Sequence, residues 1–511
     1  MSVVRMPERQ SVDDHLASFR YFLARAGQYA DISAHMDQTP LSLVVDAAWR
    51  TPGTLRERAR MAARLVLRRA HLRMVRQLDG VSLDARSSPT ASRRQGDLRV
   101  GYYLWCYPLD SETFIRREIR AMRATGLKVT VLADVAGDTS GMDDVDSAVT
   151  ATTLYLTPRS RLERLRWLLG VTLQRPAVVV RALLFLAATR YDQDKSFASD
   201  LATLGRTIDV AMTMQSQRVN HLHAPWSNVN AFVLLLASRL LRLTCSMHAR
   251  AHDLHRNDSA FALREKFSGA HFVVTNTQYN LDGIRGLLPP ARHDRVHLVR
   301  NGLDLAEYTP TAVPDSGDDG DARLLCVARL IEPKGLTTLL EACALLRDRG
   351  VRFACDIVGG PEEPLYTGYL VHLRVMHRRL SLERHVRFAG AQPQSAVRSA
   401  YQHADLFVLP CVVAANGSKD ITPNALIEAM AMQLPVISTR ITAIPEIVAD
   451  GESGVLVPPG DAVALAEAIE RCLQDASLRE QLGLNARRSV EATFDLHRNV
   501  SAYAKLFRVQ C

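Results

Sequence analysis

Paired cysteines are what this 511-residue sequence most clearly lacks. Its eight cysteines are scattered along the chain, and no two of them form a C-x-x-C pair. Most lie in apolar runs, which indicates small buried side chains in a reducing compartment. The pattern therefore gives no support to a disulfide-stapled fold or a zinc-binding module.

Long hydrophobic runs are also missing. Arg5, Glu8 and Arg9 interrupt the N-terminus, so we expect no signal peptide. Residues 219–238 carry no formal charge, but the run contains polar residues and a proline: His221, His223, Pro225, Asn228 and Asn230. Such a surface is a poor match for lipid, so we expect no transmembrane helix.

Lysine is absent from residues 1–96, which hold 16 arginines against 9 acids. Most of the net charge of +9 therefore lies in this first fifth of the chain. An apolar stripe at helical spacing between residues 55 and 76, surrounded by arginines, predicts a helix that lies on an anionic membrane or packs on the body of the protein. Residues 1–95 are accordingly expected to be a basic helical extension, ending in a Ser-, Pro- and Arg-rich linker.

Alternating strands and helices begin at Leu98. The run L-R-V-G-Y-Y-L predicts a strand, with Asp110 or Ser111 as the N-cap of the helix that follows. Gly126 ends that helix, and a second strand comes next. The order β-α-β with short turns predicts a parallel sheet. Residues 160–190 add two apolar helical pieces joined at Pro176, which suit either a membrane contact or a buried helix pair.

A strand, loop and helix between residues 408 and 446 carry the most informative pattern. Asp420 lies on the loop at the start of the helix, and Glu428 lies inside that helix. Pro423 suits an early helical position, and Asn424 sits at the boundary. Carboxylates can hold sugar hydroxyls, while the N–H groups of a helix N-terminus suit a phosphate. The arrangement predicts a nucleotide-sugar site.

The run D-I-T-P-N-A-L-I-E over residues 420–428 resembles the acidic-x7-Glu motif of the GT4 family of retaining glycosyltransferases. That motif usually reads E-G-x-P-N-x-x-x-E, so Asp420 replaces the first Glu and Ile421 the Gly. The resemblance extends over roughly residues 98–510 and is strongest in 323–461. It is nearest in pattern to bacterial exopolysaccharide and colanic-acid-type enzymes, and it implies an α/β protein of the GT-B fold.

Two cations belong to the same resemblance. The segment R-L-L-C-V-A-R-L-I-E-P-K-G-L (323–336) is similar to the family's G-R-x-x-x-x-K-G segment, with Ala328 in place of the common Gly. Arg329 and Lys334 would then hold the donor diphosphate, whose negative charge grows as it leaves. The resemblance also implies that Glu428 holds the ribose hydroxyls, and that Asp420 holds the sugar.

Histidine-rich segments of the first half match the family with departures. In H-L-H-A-P-W (221–226), His221 and His223 match, and their spacing alone also allows a metal site. In S-M-H-A-R-A-H-D-L (246–254), Asp253 matches but the family's donor-contacting His falls on Arg250, which can clamp a phosphate or carboxylate but not act as an acid. A shifted alignment that places His248 or His252 at the sugar stays open. The turn containing Ser111 resembles a loop that faces the cleft in the family.

Together these features predict a domain plan. Residues 96–312 form an acceptor-side Rossmann-like domain joined by a C-terminal helix at 496–511. Residues 313–495 form the nucleotide-sugar domain. A turn at Gly302, expected to need a positive φ, precedes the boundary.

The function expected is that of a retaining, metal-independent hexosyltransferase. It would move a sugar from a nucleotide diphosphate sugar to a glycan or lipid-linked acceptor in cell-surface polysaccharide synthesis. The expected site residues are four catalytic ones (Arg329, Lys334, Asp420, Arg250), further donor contacts (Pro423, Asn424, Glu428) and three acceptor-side ones (Ser111, His223, Asp253). No cofactor, metal or nucleic acid is expected, and the departing phosphate is expected to take the acceptor's proton.

The expected location is cytoplasmic, with peripheral contact to the inner face of the membrane through residues 55–76 or 160–190. Two alternatives remain. One is a non-catalytic nucleotide-sugar-binding scaffold, in which Arg250 and Ile421 mark lost activity. The other is a GT-B sugar phosphorylase.

Overall fold

The structure, a computed structural model, describes residues 98–109, 112–137, 151–190, 197–255, 262–310, 320–361, 367–415 and 417–511. The expected extension at 1–95, with its helix at 55–76, lies outside these ranges, as does Ser111. The described residues within 98–159 and 207–511 belong to one compact unit, and those within 160–206 belong to a second.

The first sheet holds seven parallel strands of the described chain, in the order β3-β2-β1-β4-β5-β6-β7. They are β1 (Arg99–Tyr107), β2 (Lys128–Ala136), β3 (Leu154–Tyr155), β4 (His221–Ala224), β5 (Thr244–Ala249), β6 (Phe272–Thr275) and β7 (Val296–Leu298). The central strands are buried on both faces, as is usual for parallel strands covered by helices.

The second sheet is also parallel and holds six strands, in the order β10-β9-β8-β11-β12-β13. They are β8 (Ala322–Val327), β9 (Phe353–Val358), β10 (Val386–Gly390), β11 (Leu406–Val408), β12 (Val436–Thr439) and β13 (Val455–Val457). Two parallel sheets with intervening helices confirm the predicted α/β class with two Rossmann-like halves.

Helices connect the strands. Along the described chain they are α1 (Thr113–Ala124), α2 (Arg161–Gln174), α3 (Pro176–Arg190), α4 (Phe197–Ser216), α5 (Val229–Leu241), α6 (His252–His255), α7 (Leu263–Gly269), α8 (Gln278–Leu287), α9 (Leu336–Asp348), α10 (Thr367–Arg379), α11 (Gln394–His403), α12 (Asn424–Ala431), α13 (Ala462–Gln474), α14 (Ala476–Thr493) and α15 (Leu496–Gln510). Glu112 directly precedes α1 and its side chain makes no capping hydrogen bond; the expected N-cap residues, Asp110 and Ser111, lie outside the described ranges.

The C-terminal helix α15 packs in the core of the first sheet. Val500, Tyr503 and Phe507 are buried in one cluster with Tyr102 and Phe272. The chain therefore returns, after the second sheet, to complete the apolar core of the first.

Gly302 lies where the chain leaves the first sheet, and the positive φ expected for it is wrong. A Cβ at this position would lie 2.6 Å from the Cα atom of Leu496, the first residue of α15. The glycine is therefore needed because two backbones approach closely, not because the turn is left-handed.

Within the second unit, α2 begins with a capping box. Ser160 accepts a hydrogen bond from the Glu163 N–H, and the Glu163 carboxylate accepts one from the Ser160 N–H. Leucines at four positions along α2 are about half exposed or more: Leu162, Leu165, Leu169 and Leu173. Their spacing places them on one face of the helix. Among the described residues, no helix combines the length and the apolar character that crossing a membrane requires.

Candidate functional site

The order of strands reverses once in each sheet. In the first sheet this happens between β1 and β4, and in the second between β8 and β11. Ligands of open α/β sheets bind at the carboxyl ends of strands beside such a reversal. The loops after these four strands carry Glu112, Trp226, Arg329 and Asp420, in that order. The topology thus places the predicted donor residues at the reversal of the second sheet.

Lys334 and Asp420 form an ion pair. The Lys334 Nζ donates a hydrogen bond to Asp420 Oδ2, and the two side chains are 12% and 16% exposed. Burial lowers the pKa of Lys334, but the Asp420 carboxylate outweighs burial and the pKa lies above its usual value. A short 3-10 turn, Glu332–Lys334, carries the lysine. The structure therefore brings one predicted cation and one predicted acid together, with the cation charged at neutral pH.

Gly335 fixes the position of that lysine. Its φ is +66°, in the left-handed region, and a Cβ would lie 1.8 Å from the Pro410 carbonyl oxygen. Pro410 follows β11, so the absence of a side chain lets the lysine turn lie against the loop that leads to Asp420.

Arg329 follows β8 and its side chain is exposed. Its positive charge acts on Lys334, whose pKa it lowers, and on the Glu112 carboxyl. The positive charge of Arg329 therefore influences both the lysine of its own half and an acid of the first half.

The loop that carries Asp420 contacts the first half of the chain. Asn276 Nδ2 donates to Thr422 Oγ1 at 3.2 Å, and Asn301 Nδ2 donates to Asn424 Oδ1 at 3.2 Å. Pro423 is the buried N-cap residue of α12, one position before the helix that its ring was expected to enter. The predicted donor contact Asn424 thus holds a residue of the opposite half in this structure.

Glu428 lies in a separate cluster. It is 7% exposed and accepts hydrogen bonds from Tyr401 Oη at 3.2 Å and from Arg117 Nη1 at 3.5 Å. Arg117 lies on α1, and its Nη2 also donates to Tyr308 Oη at 2.9 Å. The acid predicted to hold ribose is therefore held by an arginine of the first half.

Sequence reasoning missed Arg117, Tyr308 and Tyr401. Arg117 and Glu428 are 311 residues apart, and neither the spacing nor the quoted motifs pointed to such a partner. Tyr401 lies on α11, which packs beside α12. The signal that could have raised interest is the R-R-E run at 116–118, because arginines and a glutamate inside an amphipathic helix are rarely buried without partners.

Arg250 is 3% exposed, and hydrogen bonds within the protein hold its guanidinium. Its Nε donates to the Pro225 carbonyl at 3.3 Å, its Nη1 to Asn301 Oδ1 at 3.0 Å, and its Nη2 to Glu118 Oε2. The guanidinium also lies 4.9 Å from the centre of the Phe114 ring. The arginine thus ties the loops after β4 and β5 to α1, and its predicted action on the donor stays a prediction.

His223 and His221 are fully buried in the first sheet. His223 shares hydrogen bonds with Ser246 Oγ at 2.8 Å and Tyr503 Oη at 2.9 Å. Burial lowers the pKa of His221 to about 3 and that of His223 well below its usual value, so both imidazoles are neutral at pH 7. Within the described ranges, no three His, Cys, Asp or Glu side chains are grouped as a metal ion would require. The structure thus shows His223 as a partner of α15, and its predicted acceptor contact stays a prediction.

Asp253 is also fully buried, and its carboxylate accepts hydrogen bonds from several backbone N–H groups. Its carboxylate accepts hydrogen bonds from the N–H groups of Ser227 at 2.8 Å, Arg250 at 3.2 Å and Ala251 at 2.8 Å, and from the Ser227 hydroxyl at 2.7 Å. It fixes the loops after β4 and β5 against each other. A direct contact with an acceptor, as predicted, is not tested by this geometry.

Glu112 is a further residue of this region that sequence reasoning did not single out. It is partly buried directly before α1. Burial raises the pKa of its carboxyl to about 7, while the Trp226 indole, Arg250 and Arg329 act in the opposite direction and Asp253 adds to the rise. The S-E-T-F-I turn resembles a family loop that faces the cleft, and that signal could have drawn attention to the glutamate.

The sequence is similar to those of known proteins. Residues 321–475 match the family described as "Glycosyl transferases group 1". A putative colanic acid biosynthesis glycosyltransferase, WcaL, of Salmonella typhimurium is 28% identical over 411 residues, which cover 78% of this chain and 96% of that protein. The amylovoran biosynthesis glycosyltransferase AmsK of Erwinia amylovora is 38% identical over 175 residues, covering 34% of this chain and 42% of that protein.

Among solved structures, HepE of Anabaena in complex with UDP and glucose superposes with a TM-score of 0.60 at 18% identity, covering 80% of this chain and 99% of that one. Sucrose-phosphate synthase from Thermosynechococcus elongatus superposes with a TM-score of 0.58 at 18% identity, covering 80% of this chain and 98% of that one. At these identities the superpositions concern the fold, and they confirm the GT-B arrangement of the two sheets.

Proposed function

The chain is a glycosyltransferase that carries a glycosyl transferases group 1 domain, and from this premise we propose that it transfers a hexose, with retention, from a nucleotide diphosphate sugar to a glycan or lipid-linked acceptor of cell-surface polysaccharide synthesis. The names of its relatives support that setting, since they concern colanic acid and amylovoran synthesis. The complex of HepE with UDP and glucose supports a uridine nucleotide as the donor's carrier.

The observation that carries the proposal is the Lys334–Asp420 pair beside Arg329 at the strand reversal of the second sheet. A donor diphosphate is the ligand that two adjacent cations and a carboxylate suit. The cations bind its phosphates, and the carboxylate accepts hydrogen bonds from sugar hydroxyls. Asp420 meanwhile raises the pKa of Lys334 and so keeps it charged.

The bond that breaks joins the anomeric carbon to the diphosphate. Its electrons leave on the phosphate, and fixed cations stabilise that growing charge. With Arg329 and Lys334 in this role, the reaction needs neither a metal ion nor a cofactor. That neither a metal ion nor a cofactor is needed is inferred from the chemistry of these two side chains.

Glu428 would hold the ribose hydroxyls, as the family resemblance implies. For this to happen its carboxylate must exchange the Arg117 bond, which is long at 3.5 Å, for a hydroxyl, while Tyr401 keeps the other oxygen. Asn424 and Pro423 shape the same helix start, and Arg250 shapes the facing wall.

The acceptor is proposed to lie on the side of the first sheet, where Ser111, His223 and Asp253 were expected to contribute. The protein is proposed to act at the cytoplasmic face of a membrane. The exposed leucines of α2, with arginines at positions 161, 164 and 166 of the same helix, suit an anionic lipid surface.

Two substitutions test the donor site. Lys334→Ala should lower kcat for hydrolysis of the nucleotide sugar by about 100-fold or more. The variant lacks the ammonium group that stabilises the negative charge of the leaving diphosphate. Glu428→Ala should mainly raise the donor KM. The measurement is nucleotide release from UDP-glucose, GDP-mannose and ADP-glucose.

Lys505→Ala, at an exposed position on α15, is the matched control and should keep the wild-type rate. Unchanged kinetics in both Lys334→Ala and Glu428→Ala would contradict the assignment of the site.

A further inference from the structure

Arg250 lies directly after β5, where the family resemblance implies a direct contact with the donor. Its side chain is buried at 3% exposure, so little of the guanidinium is open to a ligand. Three of its nitrogens already donate hydrogen bonds, to Glu118, Asn301 and the Pro225 carbonyl. An effect of Arg250 on the donor is therefore expected to pass through its partners.

Asn301 is the partner that connects Arg250 to the second half of the chain. Its Oδ1 accepts a hydrogen bond from Arg250 Nη1 at 3.0 Å, and its Nδ2 donates one to Asn424 Oδ1 at 3.2 Å. Asn424 is the first residue of α12, the helix that carries Glu428. Because an amide both accepts and donates, a single side chain joins Arg250 to the start of this helix. We call this connection the side-chain relay.

The backbone of Arg250 begins a second connection, the backbone relay. Asn280 Nδ2 donates to the Arg250 carbonyl at 2.6 Å and to Asn276 Oδ1 at 3.3 Å. Asn276 Nδ2 in turn donates to Thr422 Oγ1 at 3.2 Å and to Asn301 Oδ1 at 3.4 Å. Asn276 and Asn280 are at most 3% exposed, so water cannot easily replace their bonds. Both relays therefore end at the start of α12, and Asn276 joins one to the other.

Glu118 anchors the relays in the first half. It lies on α1 and forms a salt bridge with Arg250, and the two side chains are 10% and 4% exposed. The same carboxylate accepts a hydrogen bond from Tyr102 Oη on β1 at 3.2 Å. Loss of either member of a buried ion pair leaves an uncompensated charge, which is strongly unfavourable. The guanidinium therefore has a fixed place from which the relays can act.

We propose that Arg250 is a positioning residue, which fixes the start of α12 through the two relays and does not touch the donor. The inference rests on the proposed function and deepens it, because α12 carries Glu428 and follows the loop that carries Asp420. A misplacement of about 1 Å at a reacting centre can lower the rate by about 100-fold. The first half would thus hold the sugar-binding and ribose-binding groups of the second half at the distance that transfer requires.

A double-variant cycle tests this proposal in the full chain. Nucleotide release is measured with the three nucleotide sugars named above, and kcat/KM is compared for the donor that is hydrolysed fastest. Arg250→Lys keeps a positive charge beside Glu118 but lacks the planar fork that also reaches Asn301. Asn301→Leu has a similar volume and cannot form hydrogen bonds. We expect each variant to lose about tenfold in kcat/KM, and the double variant to lose no more than about twofold beyond the weaker single one.

Thr422→Val cuts the backbone relay at its far end and leaves the Arg250–Glu118 pair intact. It keeps the shape of the side chain, and we expect kcat/KM to fall by about threefold or more. This variant, like Asn301→Leu, tests the relays even if Arg250→Lys does not fold.

Asn485→Leu is the matched control. It makes the same chemical change on α14, where the Asn485 amide donates to the Glu452 carbonyl at 3.0 Å, outside both relays. Its kcat/KM should equal that of the wild type, and Arg250→Lys should cost its full factor in this background. The urea midpoint is measured for every variant, because a merely structural role would lower the midpoint and leave kcat/KM of the folded enzyme unchanged.

A full additional loss from Arg250→Lys in the Asn301→Leu background would show a direct action of Arg250 on the donor and overturn the proposal. Wild-type kcat/KM in both Asn301→Leu and Thr422→Val would also overturn it. Either result would leave the glycosyltransferase proposal intact. Failure of the wild type to release nucleotide from any of the three donors would instead overturn the proposed function, and the role of the relays with it.

Discussion

At the scale of single residues, Gly335 determines where the lysine of the donor site can lie. Two separate requirements meet at this position, a left-handed backbone and an approach to the Pro410 carbonyl that leaves no room for a Cβ. A methyl group there would push the lysine turn away from the loop that leads to Asp420.

Gly335→Ala should therefore weaken both the fold and donor binding. The left-handed backbone alone costs roughly 1–2 kcal/mol for a residue with a Cβ, and the overlap with Pro410 adds to this. We expect a lower urea midpoint and at least about a tenfold weaker affinity for UDP.

Gly350→Ala is the matched control. Gly350 has a φ of +73°, but nothing lies within 4 Å of its Cβ position, so only the backbone cost applies. Equal losses of stability and equal UDP affinities in the two variants would show that the contact with Pro410 has no effect.

Individual residues were also where sequence prediction succeeded least. The family resemblance implied that Asp420 and Lys334 share one site, and the two side chains form an ion pair in the structure. It could not show that the Arg250 guanidinium donates to the Pro225 carbonyl of its own half, or that Gly302 meets the backbone of Leu496. Ile421, where the family has Gly, is fully buried, so that departure fills the core.

At the scale of elements, α15 links the end of the chain to the first sheet. Its Tyr503 hydroxyl shares a hydrogen bond with His223 Nε2 at 2.9 Å, and both side chains are at most 1% exposed. The crossing of the helix could be expected from the family resemblance. Its polar bond to β4 could not, because it depends on a contact between residues 280 positions apart.

Tyr503→Phe should lower the free energy of unfolding by about 1–3 kcal/mol. The ring still fills the core, but a buried imidazole nitrogen loses its partner. Urea unfolding followed by circular dichroism measures the effect.

Tyr155→Phe gives the comparison. The Tyr155 hydroxyl also donates a hydrogen bond, to the Tyr107 carbonyl at 3.2 Å, but the side chain is 43% exposed, so water can replace the bond. The same loss in both variants would mean that burial of the Tyr503 hydroxyl contributes nothing.

At the scale of the whole molecule, the two parallel sheets were predictable from the alternation of strands and helices. The contacts that join the halves were not, because they pair residues that no local pattern relates. Glu446 illustrates this point. Its carboxylate accepts hydrogen bonds from the N–H groups of Gln278 and Tyr279 at the start of α8, both at 2.7 Å, and from Arg300 at 3.0 Å.

The exposed leucines of α2 predict attachment of the full chain to anionic vesicles. Leu169→Gln should reduce flotation with vesicles that contain phosphatidylglycerol, because a leucine buried in lipid contributes up to about 1.5–3 kcal/mol. Neutral phosphatidylcholine vesicles should bind less protein, since the arginines of α2 would have no anionic partner.

Leu484→Gln replaces a leucine of α14 that is 37% exposed and should leave flotation unchanged. Equal flotation of the wild type and Leu169→Gln would argue against a lipid contact through α2.

The contact between Arg117 and Glu428 predicts the order in which the two substrates bind. Arg117 lies on α1, about one helical turn after Thr113, the first residue of that helix. Once a ribose displaces this arginine, the helix that begins beside Glu112 loses a tether to the second half. A nucleotide sugar that enters first would thereby prepare the opposite wall for its co-substrate, and initial-rate kinetics should show a compulsory sequence with the donor leading.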